Sequence, residues 1–122
     1  MSRAKIQTLI NNQAIQTSLV SSSVSTEDHR NFVLYLDVTS TGTPTDILFS
    51  VQFSNDNVNW YSLTDWFYGD LRYEDTATAN GLHESMSWHT VGRYMRLNAG
   101  VTGGTVANYF TVTARVEFYD EG

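Results

Sequence analysis

Two histidines lie six residues apart in a stretch where polar and apolar residues alternate, and metal binding is the first chemistry to test. On a strand, His83 and His89 point to the same face because successive side chains alternate between faces. A zinc site needs three or four converging ligands, so a remote carboxylate such as Asp70 or Asp75 would have to join them. Nothing in the sequence brings one close. We therefore expect solvated strand histidines and no metal site.

The acidic and nucleophilic residues give no catalytic pattern. Glu74 and Asp75 are adjacent, so on a strand they face opposite ways, whereas glycoside hydrolysis needs two carboxylates across one cleft. No Gly-x-Ser-x-Gly elbow occurs, and Gly103-Gly104 lacks the lysine of a phosphate loop. The absence of cysteine removes thiolate chemistry. The sequence predicts a protein that is not an enzyme, with no catalytic residue and no cofactor.

Large aromatic side chains are concentrated in one short stretch, with a further tryptophan later in the chain. Alternation on strands must turn some of them away from the core. Three interpretations stay open: core filling, anchors of a protein interface, and platforms on which sugars stack. The candidates for exposed contact are Trp60, Trp66, Tyr68 and Trp88.

A polar segment, Asn55-Asp56-Asn57, separates two alternating runs. Asparagine and aspartate tolerate positive φ and hydrogen-bond their own backbone, so the segment predicts the turn of a β-hairpin. The same oxygen-rich cluster, with Asn59, is a second candidate ion site because Ca²⁺ prefers carboxylate and amide oxygens.

The elements that position these residues are strands, because period two dominates the chain. Phe32, Leu34, Leu36 and Val38 form one such apolar face, and similar runs follow. No long segment has a helical period, although one helical turn is plausible near 26–29. The fold class is all-β, an antiparallel β-sandwich or jelly-roll-like domain of seven to nine strands with no long helix. Strands are predicted near 4–10, 14–20, 31–40, 47–54, 58–64, 66–73, 82–88, 93–99 and 108–119.

Size and charge narrow the function classes. The 122 residues fit one domain, and the formal net charge of -6 with scattered cations argues against nucleic-acid binding. No apolar run reaches the length of a membrane helix, which is roughly 18 residues, and none follows the N-terminus as a signal peptide would. We expect no nucleic-acid partner, no membrane partner and no secretion by a signal peptide.

The first 25 residues differ from the single sandwich domain expected over 26–122, because they contain no aromatic residue. They are one or two edge strands of the same sandwich, or an arm that pairs with a neighbouring subunit through its unpaired backbone. In the second case the contact residues would be Ile6, Leu9, Ile10 and Ile15.

Three segments carry a family resemblance. They are Leu34–Thr39 with Gly42–Thr45, then Ser50–Leu63, and then Gly92–Leu97 with Gly103–Thr105 and Phe110–Phe118. In this order they resemble small β-sandwich structural proteins of tailed-phage virions, including head decoration proteins, from about residue 31 to 119.

The resemblance implies a viral structural protein that binds the outer surface of a bacteriophage capsid. Its partner would be the major capsid protein, and it would act as a homo-oligomer, with a homotrimer favoured. It would be made in the host cytoplasm and would reside on the virion. The alternative is a carbohydrate-binding β-sandwich module, or a tail or adhesion component, that uses exposed aromatics and takes a glycan as its partner.

Overall fold

Two antiparallel sheets face each other in the computed structural model, which describes residues 2–3, 5–63 and 70–120. Sheet A contains, in spatial order, β1 (Ser2–Arg3) and β2 (Gln7–Ile15) on one edge, then β11 (Tyr109–Asp120), β5 (Asn31–Thr41) and β9 (Leu82–His89). Sheet B contains β3 (Ser18–Val20) and β4 (Val24–Ser25) on one edge, then β10 (Tyr94–Thr102), β6 (Asp46–Ser54), and β7 (Tyr61–Ser62) with β8 (Asp70–Glu74).

The chain crosses repeatedly from one sheet to the other, and this order of strands is that of a jelly roll. The predicted all-β, antiparallel sandwich is confirmed. The described residues form eleven strands, of which β1, β4 and β7 have only two residues each. One helix of four residues, α1 (Asp75–Thr78), was not anticipated. Within the described ranges, no helix is long and apolar enough to span a membrane.

The core lies between the sheets and follows from the alternation in the sequence. Along most of the central strands β5, β6, β10 and β11, every second residue is buried and the residues between are half-buried or exposed; the alternation is interrupted only at strand ends. The largest fully buried side chains are Phe32 of β5, Phe49 of β6, and Phe110 and Phe118 of β11. Each such side chain contributes about 2 kcal/mol or more of transfer free energy.

The N-terminal strands belong to this same sandwich. Strand β2 pairs with β11 and runs through a segment where the sequence predicted a break between 4–10 and 14–20. The pairing accommodates the polar segment with bulges; Asn12 has φ 46° and donates its N–H to the Thr113 hydroxyl at 3.0 Å. Leu9, Ile10 and Ile15 are buried in the core. They are therefore core residues of this chain and not side chains of a contact arm, whereas Ile6 is exposed.

The segment near 26–29 is a turn and not a helical turn. Glu27 and Asp28 have φ values of 53° and 60°, in the left-handed region, and the His29 N–H donates to the Thr26 carbonyl at 3.0 Å. The Thr26 hydroxyl is buried and donates towards the carbonyls of Gly92 and Arg93. These contacts, with the Thr26 N–H donating to the Arg93 carbonyl at 2.8 Å, hold the turn against the segment that leads into β10.

Candidate functional site

A shallow depression of about 300 Å³ lies on the outer face of sheet A. Tyr35 and Asp37 occupy alternate positions of β5 and face away from the core, because Leu34, Leu36 and Val38, with which they alternate, are buried. Strand pairing places Arg115 of β11 on one side of Tyr35 and Ser85 of β9 on the other. The depression is lined by Tyr35, Asp37, His83, Glu84, Ser85 and Arg115.

The charged groups of the depression are exposed and of mixed sign. His83 lies opposite Asp37 in the pairing of β9 with β5, and its Nδ1 contacts the Asp37 carboxylate. The His83 side chain is 80% exposed. Glu84 lies near Tyr73 of sheet B. Burial raises the pKa of the Tyr73 hydroxyl, and the negative charge of Glu84 raises the same pKa further. The depression thus offers an aromatic ring beside carboxylate, guanidinium, imidazole and hydroxyl groups.

His83 and His89 do share the outer face of sheet A, as their spacing predicts, but each contacts a different residue of β5. The His89 Nδ1 lies 3.0 Å from the Asn31 Oδ1, and His83 contacts Asp37. Six residues along a strand correspond to about 20 Å, too far for one metal ion. Among the described residues, no three histidine or acidic side chains converge as metal ligands.

The outer face of sheet B carries a different arrangement. Arg96 of β10, Gln52 of β6 and Ser62 of β7 lie side by side across three strands. The Arg96 Nε–H donates to the Gln52 Oε1 at 2.7 Å, and the Gln52 Nε2 donates to the Ser62 hydroxyl at 3.3 Å. The guanidinium carbon lies 4.3 Å from the centre of the Trp60 ring, in cation–π geometry. The arginine is therefore held by two contacts.

The turn before Trp60 forms the predicted hairpin between β6 and β7. The Asp56 carboxylate accepts the backbone N–H groups of Val58 and Asn59 at 2.9 and 2.8 Å, and side-chain donors from Asn59 and Ser54 at 2.7 and 2.9 Å. The Asn59 N–H, followed by the Val58 N–H, holds the pKa of this carboxyl well below its usual range. These oxygens face N–H and O–H donors, so the turn is a hydrogen-bonded cap and not a Ca²⁺ loop.

No protein-family model matches the sequence, and no curated protein matches it. The fold, however, is similar to that of several solved structures. The N-terminal cellulose-binding domain of β-1,4-glucanase C from Cellulomonas fimi matches with a TM-score of 0.56 at 11% identity, over 96% of this chain and 79% of that chain. A CBM4 structure matches with 0.50 at 10% identity, over 90% and 64%.

The same fold also occurs in a larger protein of another kind. The dimeric latent PorU from Porphyromonas gingivalis matches with a TM-score of 0.50 at 5% identity, over 93% of this chain but 12% of that chain. Identities this low show the shared β-sandwich alone. The carbohydrate-binding modules among these structures bear on function only together with the geometry of this chain's own surface.

The aromatic candidates have different positions. Trp60 is half-buried beneath Arg96, and Tyr61 next to it is 71% exposed. Trp88 is half-buried, packs against the core and has its ring centre 5.0 Å from that of His89. Trp66 and Tyr68 lie outside the described residues.

The sequence did not single out the polar residues that accompany these aromatics. Tyr35, Asp37, Gln52 and Arg96 appeared only within the longer segments that carry the family resemblance. The available signal was alternation itself, since it gives the outward positions of adjacent strands. Which outward residues become neighbours depends on strand pairing, and the sequence pattern does not contain that pairing.

Proposed function

We propose that this chain is a non-catalytic carbohydrate-binding β-sandwich that takes a short neutral glycan on the outer face of sheet A. The observation that carries the proposal is the depression of about 300 Å³ that Tyr35 lines together with charged and polar residues. This volume is at the lower end of the range for small-ligand sites, roughly 300–1,000 Å³. The likeness of the fold to a cellulose-binding domain and to a CBM4 structure supports it.

The lining groups match the chemistry of a sugar. A sugar ring has apolar C–H faces, which pack on an aromatic ring such as that of Tyr35. Its hydroxyl groups donate to carboxylates such as Asp37 and accept from guanidinium groups such as Arg115. Because both charge signs are present around the ring, the depression favours a neutral polyhydroxylated ligand over a strongly charged one.

Calorimetric titration with neutral oligosaccharides selected on a glycan array tests the proposal. We expect Tyr35→Ala to weaken binding by about tenfold, since tenfold corresponds to about 1.4 kcal/mol and the loss of one stacked ring is of that order. Asp37→Asn should weaken binding less, because an amide still accepts one hydrogen bond.

Tyr109→Ala is the matched control, because Tyr109 is a half-buried tyrosine on the same strand as Arg115 but six positions away, about 20 Å. It should leave the affinity within twofold. If no neutral glycan binds at millimolar concentration, or if both tyrosine variants lose affinity equally, the proposal is wrong.

Attachment to a virion shell stays a prediction of the sequence resemblance. On this prediction the protein is a homotrimer that co-sediments with purified capsids. Light scattering of the free protein would measure the oligomeric state, and sedimentation of mixtures would measure binding to capsids. A monomer without affinity for shells would remove it and leave glycan binding unaffected.

A further inference from the structure

We propose that the outer face of sheet B carries a second binding site, in which the Arg96 guanidinium binds the carboxylate of an acidic glycan. The site is separate from the depression on sheet A, because the apolar core lies between the two sheets. The proposal goes beyond the proposed function in naming a different face and a different class of sugar, one that contains a uronic acid.

The first step of the argument is that Arg96 is held in one orientation. Arg96 lies directly opposite Gln52, and Gln52 lies directly opposite Ser62. The hydrogen bonds run along this line, from Gln52 to Ser62 and from the Arg96 Nε–H to Gln52. The Trp60 ring lies against the guanidinium at 4.3 Å. An arginine side chain loses about 2 kcal/mol of rotamer entropy when it is fixed, and folding has already met this cost.

The second step concerns the donors that remain. A guanidinium has five N–H donors in a rigid fork, and the contact with Gln52 uses the one on Nε. Among the described side chains, no carboxylate forms an ion pair with Arg96 and none accepts from its Nη groups. Parallel N–H bonds from such a fork fit the two oxygens of a carboxylate. A fixed fork that no carboxylate of the described residues occupies is suited to an external carboxylate.

The surroundings favour a sugar as the carrier of that carboxylate. The residues that flank Arg96 on the same face of β10 are Tyr94 and Asn98, both uncharged and half-buried. Ser62, which lies opposite Gln52 on this face, is exposed and adds a hydroxyl group, and the Trp60 ring supplies the aromatic surface. Amide, hydroxyl and aromatic groups around one cation suit a polyhydroxylated ring with a single acidic group. An acidic peptide would favour several cations.

The experiment compares a uronic-acid oligosaccharide with the same oligosaccharide after reduction of its carboxyl groups to alcohols. Affinities come from calorimetry, and the Arg96 Nε–H resonance is followed by NMR. We expect the acidic form to bind at least tenfold more tightly and to shift that resonance. Arg96→Lys keeps the charge but removes the fork, and it should weaken binding of the acidic form at least tenfold. Gln52→Ala frees the guanidinium and should weaken binding less.

Arg93→Lys is the matched control, since Arg93 is an exposed arginine three residues away, and it should change the affinity less than twofold. Equal affinity for the acidic and reduced forms would overturn the proposal, as would an unchanged affinity in Arg96→Lys or tighter binding of a polyglutamate peptide. Tyr35→Ala should leave uronate binding unchanged and Arg96→Lys should leave neutral-glycan binding unchanged, so the two proposals fail separately. Thermal unfolding confirms that each variant is folded.

Discussion

The outer faces of the two sheets differ in how firmly their polar side chains are held. On sheet A, the contact between His83 and Asp37 joins two exposed side chains, and water screens it. On sheet B, Arg96 is fixed by a hydrogen bond to Gln52 and by the ring of Trp60. Sheet A therefore offers a depression whose groups must be ordered by the ligand, and sheet B offers one group that is already ordered.

This difference indicates two modes of recognition on one scaffold. A site whose side chains become ordered on binding pays about 0.5–1.5 kcal/mol for each one, so it depends on contact area. A preorganised guanidinium avoids most of that cost and selects its ligand by the geometry of a single group. The two faces can differ this much because the core between them fixes only the inward residues of each strand.

The largest expected effect lies where the two sheets are joined. A Cβ atom added at Gly104, between β10 and β11, would lie 1.8 Å from the backbone oxygen of Gln16, between β2 and β3. Both segments connect sheet A to sheet B, so Gly104→Ala must displace a backbone that both faces share. We expect the free energy of unfolding to fall by about 3 kcal/mol, measured by urea denaturation.

Gly100→Ala is the control, because Gly100 has no atom within 4 Å of an added Cβ. Gly100 lies on β10. Gly100→Ala should raise the free energy of unfolding by about 0.5 kcal/mol at most, since alanine restricts the conformations of the unfolded chain. Equal stability of the two variants would show that the connection between the sheets is free to move, and the faces could then not be treated as separate, rigid surfaces.

Much of the fold could be predicted from alternation. The strand expected at 31–40 is observed as Asn31–Thr41, and the one expected at 47–54 is observed as Asp46–Ser54. The predictions for these central strands are correct because the alternation of apolar and polar residues indicates a strand whichever partner strand lies beside it. Strand β2 was split in the prediction because a polar segment looks like a turn. It is a continuous strand because it pairs with β11, far along the chain, and because the Thr113 hydroxyl accepts the Asn12 N–H where the pairing is irregular.

The candidate sites could be predicted less well, for a related reason. Each site consists of outward residues from two or three strands, such as Tyr35 with Arg115, or Arg96 with Gln52. The sequence shows which residues face outward but not which strands lie side by side, and a shift in register changes every neighbour. Aromatic content indicated Trp60, whereas the arginine that covers it had no local signal.

A smaller effect should separate the N-terminal edges of the two sheets. On sheet B, the Ser21 hydroxyl accepts the Leu97 N–H at 2.8 Å, and Ser21 is buried between β3 and β4. On sheet A, the Thr113 hydroxyl accepts the Asn12 N–H at 3.0 Å in an exposed position. Ser21→Ala leaves a buried N–H without an acceptor and should cost about 1–3 kcal/mol in urea denaturation.

Thr113→Val is the matched change on sheet A and should cost about 0.5 kcal/mol or less, because water can replace an exposed acceptor. Ser22→Ala, next to Ser21 but exposed, should be neutral within the same limit. If Thr113→Val is as damaging as Ser21→Ala, burial is not what distinguishes the two edges.

The smallest effect concerns the turn that places Trp60 on sheet B. Hydrogen bonds from the Asn59 and Val58 N–H groups lower the pKa of Asp56 in the folded chain below its value in the unfolded chain. Above the unfolded value, near 4, the carboxylate is ionised in both states and its contribution to stability is fully present. As the pH falls further, the unfolded state binds the proton first, and the contribution is lost.

We therefore expect Asp56→Asn to have a lower Tm than the parent protein at neutral pH, because the amide cannot accept all of these donors. The gap in Tm should narrow steadily as the pH is lowered from about 4, since only the parent loses an ionised Asp56. Asp28→Asn, at an exposed turn next to sheet A, is the control. The difference between its Tm and that of the parent should stay constant over the same pH range. A gap that stays constant with pH would mean that the turn depends on the shape of the Asp56 side chain and not on its charge.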